Sequence, residues 1–188
     1  MYLKHLFSDK KIFILVSSLI FVSVLIGSVC CSNSCSRNDL YNYFSEFLKS
    51  TQNASKLRIS LDNLEELMFV FFAVFFSAFL KLGILINTFV VCRRSFVMGY
   101  TVTAFFKAYG MKGIFLLGGA LPEMIMLTTV LIVFSGCAIR MSLTVCEKKY
   151  KIYFIFFALL FGTIFCGLGF FDGYFTTTFM GALGRWIA

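Results

Sequence analysis

A glutamate beside the chain's only proline, a lysine inside an apolar run and two cysteines four residues apart are the side chains whose chemistry stands out. Glu123 follows Pro122 in "LGGALPEMIML", residues 117–127. A carboxyl in apolar surroundings can carry a proton, hold a cation or pair with a buried base. Lys81 is the cation that a helical reading brings to a similar depth, so a Lys81–Glu123 pair is expected. The alternative is a protonated Glu123 that donates to a backbone carbonyl. Pro122 has no amide hydrogen and so frees a carbonyl one turn earlier, near Gly118. Cys31 and Cys35, or Cys30 with Cys35, have a spacing compatible with a disulfide in an oxidising compartment. Free thiols that pack as small apolar side chains are the plainer reading, and seven cysteines cannot all pair.

Catalytic sets are missing. His5 is the one histidine, and it falls on the opposite face of the membrane from the cysteine pair. A Ser/His/Asp or Cys/His nucleophile therefore lacks its base. There is no HExxH, no phosphate loop and no pair of CxxC motifs, so neither a metal nor a cofactor is expected. The chain reads as non-enzymatic.

These residues must be positioned by apolar elements. The 188 residues are 60% hydrophobic and 19% aromatic, far more than a water-soluble surface of this size tolerates. Ile12–Cys30 and Ile152–Phe171 carry no charge, Leu67–Cys92 only Lys81, and Ile114–Ile139 only Glu123. Runs of about 18 or more apolar residues mark membrane helices. The fold class is all-α integral membrane protein, in contact with membrane lipid. The first run is too long for a signal peptide core and lacks a small-x-small cleavage pattern, so it is expected to stay as an anchor. The net charge of +8 sits beside apolar runs rather than in a stripe with interleaved aromatics. It speaks for membrane orientation and against nucleic acid.

Lys4, Lys10 and Lys11 place the N-terminal tail, residues 1–11, in the cytoplasm. Five spans are then expected at 12–30, 67–92, 95–111, 114–139 and 152–171. Residues 31–66 form an extracytoplasmic loop and residues 140–151 a basic cytoplasmic one. The third span is short: residues 95–109 cover about 22 Å of helix against about 30 Å of hydrocarbon, and a re-entrant helix is the alternative. The tail, 173–188, repeats Phe175, Phe179, Leu183, Trp186 and Ile187 at helical spacing and reads as an interfacial helix. In the outer loop Leu40, Phe44, Phe47 and Leu48 make one apolar stripe, a candidate partner-binding face. Asp62–Glu65 has the spacing of a helix N-cap. Ala158–Gly162 and Gly169–Gly173 are small-xxx-small pairs. Packing within the chain is their simplest use, with a homo-oligomer left open.

The stretch "RRSFVMGYTVTAFFKAYGMKGIFLLGGALPEMIML" resembles the core of the stage II sporulation protein M family. The resemblance rests on Arg94, on Phe96 through Thr101 with Gly99, on Gly110–Lys112–Gly113 and on Leu121–Pro122. It covers about residues 93–140. Relatives often carry an amide or histidine where Glu123 stands, and a further proline where Thr128 or Thr129 stands. The resemblance implies a multi-pass protein of the bacterial cytoplasmic membrane that anchors a peptidoglycan-remodelling machine during spore engulfment. Its partners would be the stage II sporulation proteins D and P. Relatives beside circular bacteriocin genes imply export or immunity instead. The residues themselves leave three roles open: a scaffold, a transporter or channel subunit using Glu123, and a bacteriocin export or immunity protein.

Overall fold

In lipid every backbone N–H and C=O must find its partner inside the segment, which leaves helix as the solution for an apolar run. The computed structural model describes residues 10–53, 56–143 and 148–187, and they are helical almost throughout. The elements are α1 (Lys10–Ser34), α2 (Arg37–Asn53), α3 (Lys56–Ser77), α4 (Gly83–Tyr109), a single 3-10 turn (Gly110–Lys112), α5 (Gly113–Leu143) and α6 (Lys148–Ile187). By length and composition α1, Leu117–Leu143 of α5 and Lys151–Phe175 of α6 can cross a membrane. His5 and Lys4 lie outside the described residues.

The expected span 67–92 is corrected: it is two helices. α3 stops at Ser77 and the chain reverses through residues 78–82 before α4 begins at Gly83. Backbone amides of Ala78, Phe79 and Leu80 bond back to Phe75, Phe76 and Ser77, three residues earlier, which tightens and ends the helix. The short element expected at 95–111 is then the second half of α4, a continuous 27-residue helix with Arg93 and Arg94 in its interior. The interfacial helix expected at 173–188 is no separate element either, because α6 runs unbroken for 40 residues. The side chain of Trp186 lies outside the described ones. The cap expected at Asp62 is unused, since α3 is already helical from Lys56. The capping interaction in that loop belongs to α2, where Ser36 Oγ accepts the Asp39 amide at 3.2 Å and donates to the Asp39 carboxylate at 2.6 Å.

α4 is the central element and touches α1, α2, α3 and α5. It meets α1 through two glycines: a Cβ on Gly27 would overlap the Phe96 carbonyl, and one on Gly99 the Val24 carbonyl. Backbones this close need residues without side chains. The turn into α5 needs glycine for a different reason, because Gly110 has φ +60°, a region costly for side chains with a Cβ. α3 and α6 pack antiparallel, with Gly173 against Ser60 and Gly169 against Leu64. The Gly169–Gly173 pair thus serves packing within the chain.

One half of the bundle is filled by phenylalanine. The Phe134 ring is fully buried and lies nearly parallel to those of Phe71, Phe154 and Phe161, at centroid distances of 5.2, 6.1 and 5.3 Å. At that end Phe13 packs on Gly136, and Ser142 Oγ donates to the Leu80 carbonyl at 2.7 Å. The same end therefore gathers Lys10, Lys11, Lys81, Arg140 and the start of α6 at Lys148. At the opposite end lie α2, the 3-10 turn and Lys107, whose Nζ donates to the Ser32 carbonyl at 2.5 Å.

Candidate functional site

α2 lies along the second half of α4 because its apolar stripe finds a matching face there. Leu40 and Phe44 are buried with Ala104, Phe105, Ala108 and Leu117. Phe44 stacks on Phe105 at 4.4 Å, and Tyr41 meets Tyr109 at 5.4 Å. The stripe expected to face partners is therefore turned inward at Leu40 and Phe44. Phe47 remains exposed, and the Leu48 side chain lies outside the described ones.

Beneath α2 is a cavity of about 660 Å³, within the size range of sites for small ligands or side chains. Its rim is Asp39, Tyr43 and Phe47 of α2. Tyr100, Thr101 and Phe105 of α4 form a wall, and Glu123 of α5 and Asp172 of α6 reach into it. Cys35 also lines it, with Sγ 2.7 Å from the Tyr100 hydroxyl. Cys31 and Cys35 are free thiols, so the disulfide considered from their spacing is not formed. Cys31 is fully buried, and Cys35 is engaged by Tyr100 instead.

Glu123 is buried, but its partner is not Lys81. That lysine sits exposed in the turn between α3 and α4, about 20 Å of helical rise from the level of Arg94. The cation beside Glu123 is Arg94, with Nη2 3.7 Å from Glu123 Oε1. Arg94 Nη1 also donates to Glu66 Oε1 at 2.7 Å. Glu123 and the Asp172 carboxyl face the same cavity and interact electrostatically. Asp172 Oδ2 accepts from Asn63 Nδ2 at 2.5 Å. Carboxylates this close repel unless a proton or a cation lies between or beside them. The Arg94 guanidinium is such a cation, shared by Glu66 and Glu123.

Pro122 stands within α5, and the helix continues through it. Phe179 of α6 packs over Gly118 and Gly119, the small residues one turn earlier. The break in the hydrogen-bond ladder and the glutamate are thus adjacent, and the glutamate turns toward α4 and α6.

Four helices build this cluster: Asn63 and Glu66 come from α3, Arg94 from α4, Glu123 from α5 and Asp172 from α6. Sequence reasoning found Glu123 and missed the others. The expected spans 67–92 and 95–111 leave Arg94 between them, and Asp172 falls between the last expected span and the tail. A signal for Arg94 existed, because no glycine or proline separates Cys92 from Ser95, so nothing there ends a helix.

The geometry accounts for the residues that carried the family resemblance. Gly99 admits the α1 backbone, Gly110 and Gly113 make the turn, Arg94 is the cation of the ion cluster, and Leu121–Pro122 lead directly into its Glu123. No curated protein matches the chain, and no solved structure does. The family model described as "Stage II sporulation protein M" matches residues 15–177, well beyond the stretch from 93 to 140, and the chain belongs to that family.

Proposed function

We propose that this membrane protein is a non-enzymatic scaffold. It spans the bacterial cytoplasmic membrane five times, by α1, α3, α4, α5 and α6, with its N-terminus in the cytoplasm. It holds cell-wall remodelling partners on the outer side during spore engulfment, the stage II sporulation proteins D and P among them. Family membership supports the sporulation context. The cationic end of the bundle supports the orientation, since cytoplasmic ends collect Lys and Arg.

The observation that carries the scaffold reading is the cavity under α2. Its rim leaves Phe47 and Tyr43 exposed, and exposed aromatics around a concave site are what partner proteins bury. Detergent-solubilised full-length chain should recover wall hydrolases from sporulating cells. Phe47→Asp should lose them while the variant still elutes as a folded monodisperse species. Recovery of the chain alone, or unchanged recovery by Phe47→Asp, would defeat the reading.

A second reading is favoured by the buried Arg94–Glu123–Asp172 cluster. Intramembrane ionisable groups are typical of transport pathways. As a transporter or channel subunit, the chain would lose a pH-dependent flux in proteoliposomes on Glu123→Gln. The bacteriocin export or immunity role has no specific structural feature in its favour.

A further inference from the structure

Arg93 and Arg94 are neighbours in sequence with opposite surroundings. Arg94 turns into the bundle and meets Glu66 and Glu123. Arg93 turns the other way, into a groove of about 360 Å³ between α1 and α4, lined by Ser23, Ile26, Phe89, Cys92 and Phe96. It makes no hydrogen bond or ion pair among the described residues.

Its depth makes this unusual. Lys81 in the turn and Lys107 near the end of α4 mark the two ends of the helix. Arg93 lies roughly 18 Å of rise from the first and roughly 21 Å from the second. Long cationic side chains near helix ends reach the headgroups, but from the midpoint neither surface is within reach. A guanidinium left unpaired in hydrocarbon is costly, and such groups face a partner or a cavity. The phosphate of a lipid is at the wrong depth to serve. The chain's own carboxylates beside Arg94 at this level, Glu66 and Glu123, already face that arginine.

The groove suits a helix. Ser23 and Cys92 are small enough to let a backbone approach. Phe89 and Ile26 are exposed apolar side chains beside Arg93. We infer that the α1–α4 groove seats a transmembrane helix of a partner protein carrying an aspartate or glutamate at mid-depth, paired with Arg93. Charge complementarity selects the residue type, and a guanidinium matches a carboxylate with two parallel hydrogen bonds. The inference rests on the reading above that the chain spans the membrane and holds partners. It adds a second, intramembrane contact on the side away from the cavity.

The test uses the full-length chain carrying a donor fluorophore, in phosphatidylcholine vesicles. The probes are acceptor-labelled Leu/Ala host helices of about 21 residues with Asp, Asn or Leu at the central position. The Asp helix should associate about 10-fold more tightly than the Leu helix, the scale of one interhelical polar contact. Arg93→Gln should remove that preference and Arg93→Lys should keep part of it. Arg93→Gln deletes an unpaired charge, so insertion and folding are expected to survive. Equal association of the Asp and Leu helices overturns the inference, as does a preference that persists in Arg93→Gln. A preference abolished by added phosphatidylglycerol would assign Arg93 to lipid. Energy transfer between copies of the chain that Arg93→Gln abolishes would assign the groove to a second copy. Either result also overturns it. Failure of the scaffold reading is seen separately, in the Phe47→Asp recovery, because the host helices never engage the cavity under α2.

Discussion

The guanidinium of Arg94 bonds one exposed carboxylate and neighbours one buried one, and the two do not weigh alike. The side chain of Glu66 is 59% exposed and that of Glu123 only 11%. Glu66 lies on the outer surface of the bundle, so losing its bond removes one charged hydrogen bond, about 1.5 kcal/mol, and leaves no buried charge alone. Removing the cation beside a buried carboxylate costs about 3–5 kcal/mol. Arg94→Met should therefore lower the thermal unfolding temperature in detergent far more than Glu66→Gln. Adding Glu123→Gln to Arg94→Met should recover most of the loss, since no buried charge is then left facing Asp172 without its cation. Equal effects of Glu66→Gln and Arg94→Met would mean that the outer bond, not the buried neighbour, matters. At this scale the sequence revealed Glu123 as anomalous but not what it faces. Asn63, Arg94 and Asp172 lie on three different helices, and a pairing across helices leaves no trace in local spacing.

Among the elements, α1 and α4 are held by a close backbone approach at Gly27 and Gly99. A methyl at Gly99 must push α1 away, and overpacking of this kind costs about 1–3 kcal/mol. Gly167 in α6 has open space where a methyl would go, so replacing it with alanine should cost nothing and return up to about 1 kcal/mol of helix propensity. Gly99→Ala and Gly167→Ala should therefore shift thermal stability in opposite directions, and a matched pair of unfolding curves in one detergent checks this. Apolar runs revealed α1, α5 and α6, because length and lack of charge suffice there. They hid the end of α3, since the turn is itself made of Phe79, Leu80 and Leu82, and only Lys81 and Gly83 mark it. Amphipathic spacing identified α2 correctly as a helix. Spacing alone could not say that its stripe would be taken up by α4 rather than by another protein.

Across the whole molecule, moving the reversal from Arg93–Arg94 to residues 78–82 changes what each face of the membrane can reach. In a cysteine-free background, Leu82→Cys should react with an impermeant maleimide only in inverted vesicles. Met111→Cys should react only in intact cells, and a cysteine at Val90 in neither. Labelling at Val90 from the cytoplasmic side would restore the single long span from 67 to 92. The phenylalanine-filled half has one more consequence. Phe134 lies about 16 Å of helical rise from Glu123, toward the cationic end, and the parallel rings around it exclude water. A transmembrane voltage falls mainly across the parts of a bundle that exclude water, and in a membrane this ring-filled half would be such a part. In the proposed orientation Glu123 and Asp172, which line the cavity under α2, lie on the outer side of that slab.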